Sequence, residues 1–170
     1  GFGFSDVGRS IDGALYSRAI SKLTITALGG RATQGVFDVN GWPELKVGLA
    51  YGAVTRQIGS DRNPGEWRAF ALGYDDDRPI AKTDNRPAAI RTADTTPVLI
   101  GTYGGHYLQA AATPVGPLDL LAWGVVQTGS WGALAHRAHA VALEGGWRPS
   151  AFTRYGIWLR GGYDSGSGDD

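Results

Sequence analysis

Glu44-Leu-Lys-Val-Gly-Leu-Ala-Tyr-Gly-Ala-Val-Thr55 changes character at almost every step. Leu45, Val47, Leu49 and Tyr51 alternate with Lys46, Gly48, Ala50 and Gly52. Successive strand side chains point to opposite faces, so this stretch reads as a β-strand with one apolar and one small or charged face. A helix would instead bring apolar residues together at spacings of three and four.

The same reading extends along the chain. Leu23, Ile25 and Ala27 oppose Lys22, Thr24 and Thr26, and Leu99, Tyr103 and Tyr107 oppose Thr102, Gly104 and His106. Near the end, Tyr155, Ile157, Leu159 and Tyr163 oppose Arg154, Gly156, Trp158, Arg160 and Asp164. Between Ala133 and Gly146, Arg137 and His139 share one face and Ala138, Ala140 and Ala142 the other, with His136 and Glu144 nearer the ends. Parity is ambiguous in two runs, because Arg68 goes with Phe70 and Leu72, and Asp119 with Leu121 and Trp123. Strand-like runs lie at residues 10–16, 21–29, 44–55, 65–74, 98–109, 118–127, 133–146 and 153–163. Many approach the ~9–11 residues that a tilted strand needs to cross a bilayer. Connections at residues 17–20, 111–117 and 146–152 are short, while 30–43 and 75–97 are long and polar, as in barrels that alternate short turns with long loops. The short Thr128-Gly-Ser-Trp-Gly132 departs from that alternation.

Composition narrows the classes. Sixteen Lys plus Arg balance sixteen Asp plus Glu, which gives no reason to expect a nucleic-acid partner. Without cysteine there is no disulfide, thiolate metal site or thiol nucleophile. No stretch reaches the roughly 20 apolar residues of a membrane helix, but barrel strands escape hydropathy analysis because alternate residues face a polar lumen. The chain begins at Gly1 without a basic-then-apolar leader, so the expectation is a processed secretory product or a piece of a longer protein, forming one domain over residues 1–170. If one face meets lipid, charges within strands point to the other, since Arg or Lys facing lipid at the midplane costs roughly 2–4 kcal/mol. Tyr51, Trp67, Tyr74, Tyr107, Trp147, Tyr155 and Tyr163 then suit the aromatic girdles of a membrane interface. The same alternation also suits a soluble β-barrel or sandwich with a ligand inside, and there these rings are core.

Certain segments add a resemblance. Gly73-Tyr-Asp-Asp-Asp-Arg-Pro79, Lys82-Thr-Asp-Asn-Arg-Pro87, Thr102-Tyr-Gly-Gly-His-Tyr-Leu108 and Leu118-Asp-Leu-Leu-Ala-Trp-Gly124 occur in that order. Val126-Gln-Thr-Gly-Ser-Trp-Gly132, the run from Arg137 to Trp147 and the run from Trp158 to Asp170 follow. Together, over roughly residues 65–170, they resemble the alginate export porin family of Gram-negative outer membranes. The first sixty residues match only loosely, through Gly35-Val-Phe-Asp38. Members of that family are longer and their barrels continue past the final Gly-Ser-Gly-Asp-Asp, so the resemblance implies part of a barrel, completed by the remaining strands of a parent.

The expected fold is therefore all-β: an antiparallel, up-and-down transmembrane β-barrel, or partial barrel, of about eight strands. The resemblance implies an outer-membrane location and passive transport of an anionic polysaccharide or of small organic solutes, without catalysis or cofactor. The candidate lumen residues are Lys22, Lys46, Arg68, His106, Arg137, His139, Arg154 and Arg160. Guanidinium groups give carboxylates planar paired donors, and rings of Arg or Lys select anions without the tight binding that stalls passage. Structural pairing with acidic neighbours is an equal role for them. His106 and His139 read more readily as hydrogen-bonded imidazoles than as titrating switches. Asp75, Asp76, Asp77 and Asp84, or Asp164 with Asp169 and Asp170, lack the spacing of a calcium loop, so no metal is expected. No Gly-x-Ser-x-Gly elbow or phosphate-cradling glycine loop is present, and no enzyme is expected.

Overall fold

The computed structural model describes residues 10–33 and 46–167. Eight strands run in chain order: β1 Ser10–Ile20, β2 Leu23–Thr33, β3 Val47–Ser60, β4 Asn63–Asp76, β5 Val98–Ala111, β6 Leu118–Trp131, β7 Leu134–Trp147 and β8 Leu159–Gly166. They form one sheet in which each strand pairs antiparallel with its sequence neighbours. β1 and β8 are the two edges and do not pair with each other, so the eight strands form an open wall and not a closed barrel. The Gly35–Asp38 element, Asp169 and Asp170 lie outside the described residues.

Tight turns make the up-and-down order possible. Ser21-Lys22, Asp61-Arg62 and Gly132-Ala133 each reverse the chain in two residues, which antiparallel strands alone permit. Ser21 and Gly132 take positive φ, 55° and 62°, as such turns demand. The strands from β3 to β7 each reach 14 residues, and β3 to β6 are longer than the sequence runs suggest. At about 3.4 Å per residue and a barrel-like tilt, such a strand rises about 35 Å, more than the ~25 Å apolar band of a membrane barrel.

Register fixes the faces. Thr24, Thr55, Arg68, His106, Trp123 and Ala142 occupy one lateral row, and its face also carries Leu28, Tyr51, Leu72, Thr102, Gln127 and Ala138. Val47, Ala53, Thr55, Asp76, Val98 and Thr102, the buried strand residues other than glycine, all belong to it. No second layer covers this face along its length, so the burial comes from neighbouring side chains crowding together. That marks it as the inside of the curve; the opposite face is the outer one.

Parity is as expected in β2 and β5 and opposite to expectation in β3 and β7. In β3, Lys46 precedes the strand and so marks no face, while Val47, Leu49 and Tyr51 point inward and Tyr51 packs on Phe70 with ring centroids 6.1 Å apart. In β7, Ala138, Ala140 and Ala142 point inward because each sits beside a larger inner residue of β6: Gln127, Val125 and Trp123. Small residues there accommodate large ones across the ladder. The eighth run also starts later than expected. Ser150–Tyr155 forms a short 3-10 helix ended by Gly156 at φ 65°, and the strand begins at Leu159.

Candidate functional site

The inner face is a lattice of polar side chains assembled from strands distant in sequence. On β4, Glu66 Oε1 lies 2.9 Å from His106 Nε2 of β5 and also takes a hydrogen bond from Gln57 of β3 through its other oxygen. Arg68 donates from Nε to Thr55 Oγ1 at 2.8 Å. Higher on the face, Gln127 donates to Thr102 Oγ1 at 3.1 Å and holds His136 Nε2 at 3.1 Å through its carbonyl oxygen. Toward the β8 edge, Arg160 and Glu144 form an ion pair at 2.7 Å. This wall offers water and polar solutes many weak partners.

The connection 77–97, which includes the helix α1 Ala88–Ala93, folds over one end of this face. Asp94 holds it there: its carboxylate accepts from the Ala133 amide at 2.9 Å, from Arg86 at 2.7 Å and from the Thr96 amide at 3.1 Å. Arg86 also donates to Asp84 at 2.8 Å. The β6–β7 turn can receive this cluster because residue 132 is glycine. A Cβ there would stand 2.5 Å from Asp94 Oδ2 and 2.9 Å from the Cε of buried Lys82. The Ala133 amide, then the Arg86 guanidinium, drive the Asp94 carboxyl far below the ordinary carboxylate range. Arg86 in turn is raised by Asp84 and Asp94, and Asp84 is lowered by Arg86. Between this connection and the sheet lies a cavity of about 570 Å³ lined by Thr83, Asn85, Ile100, Gln127, Trp131 and His136, among others.

The eight residues read as lumen candidates divide. Arg68, His106 and Arg160 share the inner face. Lys22 sits in the β1–β2 turn, in line with that face, and reaches the Gly59 carbonyl at 3.4 Å. Lys46 stands just before β3, exposed, in line with Gly48 and Ala50 on the outer side. Arg137 and His139 belong to the outer face, a correction that follows from the inward-pointing alanines of β7. Arg137 is the fourth residue from the Gly132-Ala133 turn, where an end-of-strand charge reaches water. Arg154 lies in the 3-10 helix, its guanidinium 4.4 Å from the centre of the Tyr155 ring. Of the proposed girdle, Trp67, Tyr107, Trp147 and Tyr163 are on the outer face; Tyr51 and Tyr74 are inside, and Tyr155 is in the connection.

Sequence reading passed over Glu66, Gln127, His136 and Glu144 as partners and Asp94 as the anchor of the long connection. Glu66 and His106 are 40 residues apart in sequence, and only the register brings them together. No group of three or more His, Cys, Asp or Glu fit to hold a metal ion occurs among the described residues. No protein-family model, no curated protein and no solved structure matches the chain.

Proposed function

We propose that this chain is part of the wall of an outer-membrane β-barrel through which hydrophilic solutes diffuse passively, without covalent chemistry. One observation carries the reading: the outer face of β5 to β8 is largely apolar, its charged residues Arg137 and His139 lying toward the β6–β7 turn, and its apolar side chains are exposed. Leu99, Tyr103, Val126, Val141, Leu143 and Tyr163, from four strands, are between 41% and 62% exposed. An apolar patch of this extent in water is a liability, whereas lipid is its natural cover. The polar lattice on the opposite face, the length of the strands and the up-and-down order fit the same setting.

The inner wall bears on the permeant. Strand residues facing inward include Glu66, Asp76, Asp119, Glu144 and Asp164 but only Arg68 and Arg160 as cations. Anionic polysaccharide export, which the resemblance implies, therefore needs cations from strands beyond these eight or from the 77–97 connection. The wall itself suits neutral or weakly cationic organic solutes better. Planar-bilayer conductance of the chain, with the parent barrel's remaining strands, tests both levels. Stable channels with a reversal potential near zero or on the cation side are expected under a salt gradient. Failure to form channels sinks the porin reading, and strong anion selectivity restores the anionic polysaccharide.

A further inference from the structure

The connection between β7 and β8, residues 148–158, combines features that the transport reading leaves unused. From Gly145 to Tyr163 the chain has no carboxylate, yet it holds Arg148, Arg154 and Arg160 among Trp147, Phe152, Tyr155 and Trp158. These rings are not folded away: Phe152 is 48% exposed, Tyr155 61% and Trp158 46%. The segment is nevertheless fixed. The Arg148 amide donates to the Pro117 carbonyl at 3.0 Å and the Ser150 amide to the Val115 carbonyl at 3.0 Å, extending the sheet's ladder into the neighbouring 112–117 turn. Arg148 stands 5.3 Å from the centre of the Trp158 ring. Arg160 also stands over Trp158, but it is committed to Glu144. Arg148 and Arg154 have no carboxylate partner among the described residues.

Next to this segment the outer face opens into a groove of about 720 Å³ walled by Tyr107, Leu118, Leu120, Trp147 and Leu159. Gly161 lies in its lining, and a Cβ there would meet nothing within 4 Å, so no neighbour requires glycine at that position. Leu118, Trp147 and Leu159 sit level at the strand ends, and the connection beyond them carries Tyr155, Trp158 and two guanidinium groups without a carboxylate partner. That sequence matches one bilayer leaflet from acyl chain through the interfacial layer to phosphate. The guanidinium fork is the side chain best shaped to take phosphate oxygens in pairs.

We propose that this corner of the sheet binds an anionic phospholipid, its phosphate on Arg148 and Arg154 and one acyl chain in the groove; the proposal rests on the apolar face being lipid-facing. Charge complementarity selects the occupant, because a zwitterionic headgroup leaves two exposed guanidinium groups without net compensation.

Because the chain has no cysteine, Ala151→Cys places a single fluorophore on the connection and Val126→Cys a single one on the outer face. Each labelled protein is refolded in phosphatidylcholine vesicles containing a minority of brominated phosphatidylglycerol or of brominated phosphatidylcholine. At residue 151, phosphatidylglycerol should quench in preference. That preference should fall about fivefold in R148Q or R154Q, the factor expected for one basic residue at an anionic surface, and reach parity in the double variant. Equal quenching by the two lipids in the parent, or a preference unchanged in the double variant, overturns the phospholipid site. If residue 126 is quenched by both lipids while residue 151 shows no preference, only this site falls. If residue 126 is quenched by neither, the lipid-facing reading fails and the site with it.

Discussion

Asp94 and Ala133 are joined by a 2.9 Å hydrogen bond from the Ala133 amide to the Asp94 carboxylate, which pins the β5 end of the β4–β5 connection to the β6–β7 turn. The carboxylate is shared with Arg86 and the Thr96 amide, so one side chain closes three chain segments. Asp94→Ala should free residues 77–97 from the inner face while leaving the sheet paired. Hydrogen exchange reads this directly: amides of the connection should exchange faster and those of β5 and β6 should not. Unchanged protection of the connection would mean that the cluster does not hold it.

The same anchor has a defined pH response. The folded-state pKa of Asp94 is depressed, so its contribution is complete above the unfolded aspartate value, near ~4, and declines as pH falls through the lower folded value. The connection should stay docked from neutral pH down to about pH 4 and loosen only in stronger acid. Exchange protection of residues 77–97 measured across that range checks it. Release between neutral pH and pH 5 would contradict the anchoring role of Asp94.

The parity of β7 makes a third prediction. Trp123 and Ala142 are opposed on the crowded inner face, whereas Val141 is 41% exposed on the outer one. Ala142→Leu should overpack the interior and cost about 1–3 kcal/mol. Val141→Leu should be nearly neutral. Urea unfolding of both variants in phospholipid vesicles separates them, and an equal cost at the two positions would reverse the assignment of faces.

How much of this was legible in the sequence follows from the same strand. All eight strands and their order could be read, because two-residue alternation and turn chemistry are local properties. Parity was legible in β5 through His106, but not in β7, where His139 lies as far inside the strand and still faces outward because the alanines of β7 take the inner row beside the larger residues of β6. It was lost too where charges near or beyond a strand end were used: Lys46 precedes β3, and Arg137 lies close to the β6–β7 turn. Thr153 to Trp158 alternate as a strand does, yet the segment coils into a 3-10 helix that the left-handed Gly156 ends. The polar partners were out of reach because alternation says which residues share a face but not at which register neighbouring strands pair. Glu66 finds His106 only through that register.

The outer face can be probed by charge. Val126 and Gln127 are consecutive on β6, the first outward and 54% exposed, the second inward in the polar lattice. Arg at position 126, by Val126→Arg, should cost about 2–4 kcal/mol of stability in a bilayer, whereas Gln127→Arg faces water and should cost much less. The comparison is made by reversible unfolding in vesicles. Equal tolerance of the two changes would argue that lipid does not cover the outer face.

Arg160 and Glu144 form the exposed ion pair of the β7–β8 ladder, their side chains 43% and 42% exposed. Pairs this open to solvent contribute at most about 1 kcal/mol, so Arg160→Gln should leave the unfolding midpoint almost unchanged. Its electrostatic effect is larger in proportion, because it uncovers the Glu144 carboxylate on a face already richer in carboxylates than in cations. If that face lines a conducting lumen, the reversal potential should move toward cation preference, and Glu144→Gln should move it back toward anions. A midpoint that shifts while selectivity stays fixed would assign this pair to holding the edge strand rather than to the solute path.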